Sequence, residues 1–456
     1  MKTTLTKKFD FSLFPVVFSL AWPTMLEQLM QTAVQYADTL MVGSLGTDAT
    51  AAVGATTTVN WLVGSTLSAF GVGFLSYISR AYGAGEKNRA KKAAAQAVTL
   101  TLAAGIIFTV LTLSLSRVIP VWMQVDNGIK ELAGEYFFII YSPMLFRTAS
   151  IIFGTVLRAS GDTKTPMYVG IAVNAVNVLL NFILIYPTRE ISLFGNAVTV
   201  FGADMGVKGA ATASAISFIV GGTGISYVLF FKSELSPKGE KFMPDKEVLK
   251  ECMKIAFPNM LQRACTSLGY VFFASMINSV GSVSTAAHTV ANTVESAFYI
   301  PGYGMQTAAA TLTGNCIGAR DKIRLKNISR IILLTEISLM IISGSLLFIF
   351  APFLVSLFSK DSEVITLGAT VLRMVALSEP FYGVSIVTEG MLQGAGKTAK
   401  PFIFNVICMW GVRILGTFVC INLLHLGLVS AWACMIADNM LLLILFRIYY
   451  RKEELM

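Results

Sequence analysis

Gly83-Ala84-Gly85-Glu86-Lys87-Asn88-Arg89-Ala90-Lys91 is matched, 235 residues further on, by Gly318-Ala319-Arg320-Asp321-Lys322-Ile323-Arg324-Leu325-Lys326. The same offset carries Pro23, Met25 and Leu26 onto Pro258, Met260 and Leu261. It also carries Leu157, Gly161, Thr163 and Pro166 onto Leu392, Gly396, Thr398 and Pro401. One offset that holds in three distant windows marks an internal duplication. Each half is too apolar for water, and a duplicated membrane unit is the usual build of a secondary transporter.

The composition agrees. With 55% hydrophobic and 13% charged residues, a water-soluble globule is excluded. A helix needs roughly 20 apolar residues to span the hydrocarbon core. Apolar runs fall near 13–43, 50–79, 93–116, 132–157, 166–187 and 209–231, and again near 254–280, 285–315, 328–358, 365–393, 401–424 and 427–446. The expectation is an all-α membrane protein with twelve transmembrane helices in two parallel six-helix repeats. Residues 1–231 form an N-terminal lobe, 232–250 a cytoplasmic linker with Pro237, Gly239 and Pro244, and 251–456 a C-terminal lobe. The stretch Thr188–Met205 lengthens one outer connection relative to its counterpart near His425, so the repeat slips there.

Orientation follows the placement of Lys and Arg. With the N-terminus inside, Lys87, Arg89, Lys91, Lys92, Arg158, Lys164, Lys238, Lys241, Arg320, Lys322, Arg324, Lys397, Lys400, Arg451 and Lys452 face the cytoplasm. The outer loops keep Arg117, Lys130, Arg189, Lys208 and Lys360. Both termini are expected inside, in a multi-pass protein of the cell membrane. The net charge of +9 then reflects this bias and contact with anionic lipid, not nucleic-acid binding. Lys2, Lys7 and Lys8 precede a run too long for a signal peptide's apolar segment, so the first helix is expected to be retained. The six cysteines all lie in the second half and read as small hydrophobes, not as a disulfide framework.

An ionisable side chain inside a membrane helix needs a reason, because insertion costs about 2.5–3.5 kcal/mol. Candidates are Glu27, Asp38, Arg147, Arg263, Glu295, Glu336, Arg373, Glu379, Glu389, Arg413 and Asp438. Asp38 stands out, with no basic residue within a turn on either side and Phe273 at the matching position of the second half. A proton or a cation can neutralise such a group; a helix-end carboxylate reaching water is the plainer reading. Asn174, Asn177 and Asn181 share one helix face, either joining helices or coordinating a cation. The offset also sets Glu27 and Arg263 at adjacent depths, as a gate that closes the inner side or as residues paired within their own lobes.

These residues resemble a family. Pro23 followed by Ala37-Asp38-Thr39-Leu40-Met41-Val42-Gly43, the Asn177 and Asn181 pair, the turn Leu157-Arg158-x-x-Gly161-Asp162 with Pro166, and Pro301-Gly302-x-Gly304 are similar to the multidrug and toxic compound extrusion (MATE) transporters, in the bacterial NorM-like branch. The resemblance implies two six-helix lobes around a central cleft and antiport of H+ or Na+ against drugs. It places the coupling ion, including a possible Na+, at Asp38, Asn177 and Asn181, with Asn174 nearby. Ala210 and Ser214 of the sixth helix would supply a carbonyl and a hydroxyl, with Thr212 as rival. The acids that some members carry in the second lobe are absent, since Thr266 and Tyr382 stand there.

The expected function is therefore ion-driven multidrug efflux, a xenobiotic export of amphipathic, cationic small molecules. Glu295, Tyr299 and Tyr270 are candidates for meeting the cargo through charge and aromatic faces. No cofactor and no nucleic-acid partner are expected, and the chain is expected to act as a monomer. A lipid-linked oligosaccharide flippase is the alternative, kept open by Arg147, Arg263, Arg373 and Arg413. An intramembrane enzyme is disfavoured: there are two histidines, His288 and His425, and no paired-aspartate or nucleophile motif.

Overall fold

The computed structural model describes residues 11–123, 125–193 and 196–452; Lys2, Lys7 and Lys8 lie outside them. Helices α1 (Phe14–Gly43), α2 (Thr47–Gly83), α3 (Lys87–Leu115), the short α4 (Ile119–Trp122), α5 (Lys130–Tyr141), α6 (Met144–Ala159), α7 (Lys164–Leu184) and α8 (Gly206–Phe231) build the first repeat. The second runs through α9 (Lys246–Asn278), α10 (Ser282–Gly318), α11 (Lys322–Ser356), α12 (Ser362–Ala376), α13 (Glu379–Gly394), α14 (Ala399–Val406), α15 (Leu415–Phe418) and α16 (Leu428–Lys452). Wider π-helical turns at Ile407–Ile414 and Val419–Leu423 flank α15 and make Ala399–Leu423 one span.

Among the described residues, eight helices are long and apolar enough to cross a membrane, and the pairs α5–α6 and α12–α13, bent by 49° and 55°, bring this to ten. The bends fall at matching places, before Pro143 and Met144 in one repeat and at Glu379 and Pro380 in the other. Helices α9 and α10, of 33 and 37 residues, complete the twelve. They are less apolar because α9 opens on a charged turn and α10 is rich in Thr, Ser and Asn. The long outer connection after α7 is a hairpin of β1 (Pro187–Leu193) and β2 (Asn196–Ala203), paired antiparallel.

By packing, the chain divides into two units. The N-unit holds Glu27–Phe74 and Lys87–Met253; the C-unit holds Met1–Leu26, Leu75–Glu86 and Lys254–Met456. Helices α1 and α2 thus each give one end to the C-unit, and the packing boundary departs from the repeat boundary there. Apolar clusters sit inside each unit: Val63, Leu67, Phe137, Tyr141 and Met144 in the N-unit, and Phe273, Leu347, Leu372 and Trp432 in the C-unit. Small residues bring helices close where side chains would hold them apart. A Cβ on Gly304 of α10 would lie 2.5 Å from Met25 Cα, and Thr24 Oγ1 donates to Gly304 O at 2.8 Å.

The duplicated turns fold alike. After α6, Gly161 N and Asp162 N donate to Arg158 O and Leu157 O; after α13, Gly396 N and Lys397 N donate to Gln393 O and Leu392 O. Both glycines take positive φ, +94° and +76°, as a helix end of this type requires. In the opening motif Gly85 has φ +77° and its mate Arg320 has φ +54°, so the second copy keeps the turn at the expense of a left-handed arginine.

The segment joining the repeats is fastened to α3. Gln96, with no exposed surface, donates through Nε2 to Met243 O at 2.9 Å and accepts from Asp245 N at 2.8 Å. Thr99 Oγ1 donates to Phe242 O at 2.8 Å. Asp245 pairs with Lys92 and accepts from the backbone N–H groups of Glu247 and Val248, capping α9. The Lys92 hydrogen bond, followed by the Val248 N–H, holds its carboxyl below the usual aspartate range. Replacing Gln96 removes both of these part-buried hydrogen bonds, each worth about 0.5–1.5 kcal/mol. Gln96→Ala is therefore expected to speed tryptic cleavage at the exposed Lys238 and Lys241 several-fold in the purified protein; an unchanged cleavage rate would remove Gln96 as the fastening.

Candidate functional site

In the N-unit, three helices bring a polar chain together inside apolar surroundings. Asn181 Nδ2 of α7 donates to Asp38 Oδ1 of α1 at 2.5 Å and to Asn177 Oδ1 at 3.1 Å. Asn177 Nδ2 donates in turn to Ser214 Oγ of α8 at 3.2 Å. The four-residue spacing on α7 stacks the two amides on one face, and they are 1% and 5% exposed. α7 and α8 approach closely because Gly209 sits against the backbone of Leu184, 2.5 Å from where a Cβ would stand. Asn181 Oδ1 is buried and has no hydrogen-bond partner.

The other residues expected at this site fall out differently. Thr212 Oγ1 donates to Lys208 O of its own helix at 2.8 Å, and two residues along a helix point to different sides, so Ser214 is the hydroxyl that joins the chain. Ala210 packs with Val42, Ala49, Ile185 and Val207 as apolar wall. Asn174 is half-buried and lies outside the hydrogen-bonded chain. What remains is one carboxylate, two amides and a hydroxyl, with an unused carbonyl oxygen. That set can neutralise a single positive charge; among the described residues no cluster of three His, Cys, Asp or Glu side chains exists to hold a metal ion.

Glu27 and Arg263 are each partnered at home. Arg158 Nη2 donates to Glu27 Oε1 and Oε2 at 2.6 and 2.7 Å, and Arg263 Nε donates to Asn259 Oδ1 at 3.1 Å. A gate in which Glu27 meets Arg263 would first have to break the Arg158 pair, whose side chains are 16% and 11% exposed.

In the C-unit, Tyr299 packs edge-on against Tyr303 and Tyr382, with ring centres 5.9 and 5.5 Å apart. Tyr303 and Tyr382 hydroxyls are 3.2 Å apart. Tyr270 and Tyr303 are 43% and 37% exposed, whereas Glu295, one turn before Tyr299, is 5% exposed. Glu295 interacts electrostatically with Arg413 and Glu379. Arg413 Nε donates to Asp438 Oδ2 at 2.7 Å and its Nη2 to Asn439 Oδ1 at 3.2 Å. Both carboxylate oxygens of Glu336 and of Glu379 are buried without a partner. Spacing alone did not reveal that Glu295, Glu336 and Glu379, on three helices and 84 residues apart at the extremes, share one interior.

Twelve spans in two matched repeats, with polar groups buried inside each unit, have the build of a secondary membrane transporter. The MatE family model matches residues 23–183 and 258–419, two stretches that begin 235 residues apart. The chain belongs to the multidrug and toxic compound extrusion family, in its NorM-like branch. It is 30% identical over 423 residues to the probable multidrug resistance protein NorM of Thermotoga maritima, covering 92% of this chain and 89% of that one. Its fold is similar to an outward-facing multidrug resistance MATE transporter of the MOP superfamily, with TM-score 0.89, 24% identity, and 97% and 96% of the two chains covered. It is also similar to a MOP superfamily transporter from Pyrococcus furiosus, for which a reversed polarity of the binding pocket suggests a different function, with TM-score 0.88, 24% identity and 98% of each chain covered.

The Glu27–Arg158 pair gives a direct check on the N-unit. Removing one partner of a buried ion pair strands the other charge, which costs about 3–5 kcal/mol. Arg158→Met is expected to lower the thermal midpoint markedly, and the double variant Glu27→Gln/Arg158→Met to recover most of it. Equal losses in the single and double variants would show that packing, not charge, dominates there.

Proposed function

We propose that this transporter exports amphipathic cationic compounds across the cytoplasmic membrane by alternating access, exchanging them for H+ or Na+ at Asp38. The observation that carries the reading is the Asp38–Asn181 contact, with Asn181 Oδ1 left unpartnered beside it in a buried site. An amide offers donors to a carboxylate and an acceptor to a bound proton or cation, so one side chain serves both the empty and the loaded state. Asn177 and Ser214 extend this support, and the multidrug resistance name of the Thermotoga maritima relative favours drugs as cargo. We place both termini in the cytoplasm and treat the chain as a monomer in lipid.

The oligosaccharide flippase is less well supported, because it would need free basic groups. Arg263 Nε donates to Asn259 Oδ1, Arg413 is paired with Asp438, and Arg147 Nη1 donates to Asn60 Oδ1 at 2.6 Å while its guanidinium lies over Phe218. Arg373 Nε reaches Phe348 O.

Asp38→Asn is expected to abolish efflux of a fluorescent cation from everted vesicles under an imposed proton or sodium gradient, with folding retained. Asn181→Ala should weaken coupling less, since it removes a ligand and no charge. Full transport by a well-expressed Asp38→Asn protein would sink the reading.

Cargo charge provides a second check. The exposed Tyr270 and Tyr303 offer aromatic faces to a flat cation, and Glu295 supplies negative charge one turn behind Tyr299. A charge-assisted contact contributes roughly 1.5–3 kcal/mol, or about ten- to a hundredfold in affinity. Glu295→Gln is expected to weaken resistance to cationic dyes by that factor while sparing neutral compounds. Equal loss for every cargo would assign Glu295 to the interior network with Arg413.

A further inference from the structure

The duplication carries Glu27 onto Gln262, Arg158 onto Gln393 and Gly154 onto Glu389. The N-unit thus has an acid and an arginine where the C-unit has two amides and an acid on a third position. The exchange is geometrically coherent. In the N-unit a Cβ on Gly154 would lie 3.5 Å from Arg158 Nη1, in ordinary contact, so position 154 adjoins the guanidinium. In the C-unit the side chain of Glu389 grows from the equivalent point and takes the place of that cation's partner. Gln262 Nε2 and Gln393 Nε2 both donate to Glu389 Oε1, at 2.9 and 3.0 Å. Gln262 is 7% exposed and its Oε1 is buried without a partner.

Arginine has donors only, so it serves an ionised carboxylate and has no acceptor for the O–H of a protonated one. A carboxamide has both. We propose that Glu389 is a proton-exchange site of the C-unit, held as a carboxylate by the N–H groups of Gln262 and Gln393 and as a carboxylic acid by the Gln262 carbonyl. Binding adds one proton from water to a lone pair of a Glu389 oxygen. Gln262 turns its amide so that Oε1 accepts the new O–H, and no other bond forms or breaks. Glu389 is half-buried, which leaves a proton a route in.

Few other charges face it. Arg263 on α9 and Tyr303 on α10 are the titratable groups within electrostatic range, and Asn405 on α14 is a further amide neighbour. Glu336 on α11 meets α13 at Gly383, and Tyr450 on α16 meets it at Met391, away from Glu389. The site does not involve Asp38, so it goes beyond the proposed coupling ion.

The test is infrared difference spectroscopy of the full chain in lipid nanodiscs across a pH series, reading the carboxyl C=O stretch. Glu389→Gln is expected to remove one carboxyl's amplitude from the titrating band. Gln393→Arg, which copies the arrangement of the N-unit, is expected to remove the same amplitude with Glu389 still present, and it carries the test if the first variant does not fold. Asp38→Asn should leave that amplitude in place, whatever it does to transport. A band unchanged in Glu389→Gln, a Glu389 signal that persists in Gln393→Arg, or a titration lost entirely with Asp38→Asn would each overturn the proposal.

Discussion

Some carboxyl groups withdrawn from water in this chain, such as Glu336 and Glu379, have no hydrogen-bond partner; where a partner exists, its kind decides what the group can do. A bare charge is expensive in an apolar interior, and an arginine answers it with fixed opposite charge. Glu27 and Asp438 are answered in that way, by Arg158 and Arg413. Asp38 and Glu389 are answered by carboxamides, through Asn181 in one unit and Gln262 and Gln393 in the other. In both of these sites a carbonyl oxygen of the partner amide stays unused, Asn181 Oδ1 and Gln262 Oε1. The same chemical solution on unrelated helix positions separates amide-partnered acids from arginine-paired ones.

Duplication supplies the scaffold on which that difference is written. The two helix-ending turns at Gly161 and Gly396 share their hydrogen bonds and their left-handed glycines, so the backbone around Arg158 and Gln393 is the same device used twice. Only the side chains diverge. Gly154 and Glu389 occupy one equivalent point of the repeat, as do Arg158 and Gln393, so the C-unit has an acid and an amide where the N-unit has a glycine and an arginine. The 235-residue offset is also why Asp38 is instructive: its mate is Phe273, buried in an apolar cluster, so the second repeat carries no acid at the equivalent position.

Much of this was legible in the chain. Period, length and the repeated motif fixed twelve helices and the place of the turns, because backbone punctuation by Gly and Pro is local. Asp38, Asn177 and Asn181 were readable for the same reason, as one lone acid and one helical face. Contacts between distant helices were not. Nothing local distinguishes Ser214 from Thr212; the choice is made by Thr212 bonding back to Lys208 O. The polar segment before α9 read as a linker, yet a wholly buried Gln96 ties it to α3. The hairpin after α7 read only as extra length, since its two strands lack the strong alternation of a buried sheet. Glu389 was visible as an intramembrane acid, but its meaning depends on Gln262, 127 residues earlier.

The motif Pro301-Gly302-x-Gly304, which carried part of the family resemblance, has a packing cause of its own. α10 runs unbroken through Pro301, and Ser343 Oγ of α11 donates to Phe298 O at 2.8 Å, answering a carbonyl in the turn that proline weakens. The glycines are explained by their neighbours. A Cβ on Gly302 would lie 2.7 Å from Glu336 Oε1, and one on Gly383 of α13 would lie 2.8 Å from the same oxygen. Two helices therefore withhold side chains so that a third can bury an acid between them. Gly304 meanwhile admits the start of α1 against α10 through Thr24. The motif is thus a pair of clearances, one for an acid and one for a helix, and such close contacts make this part of α10 rigid.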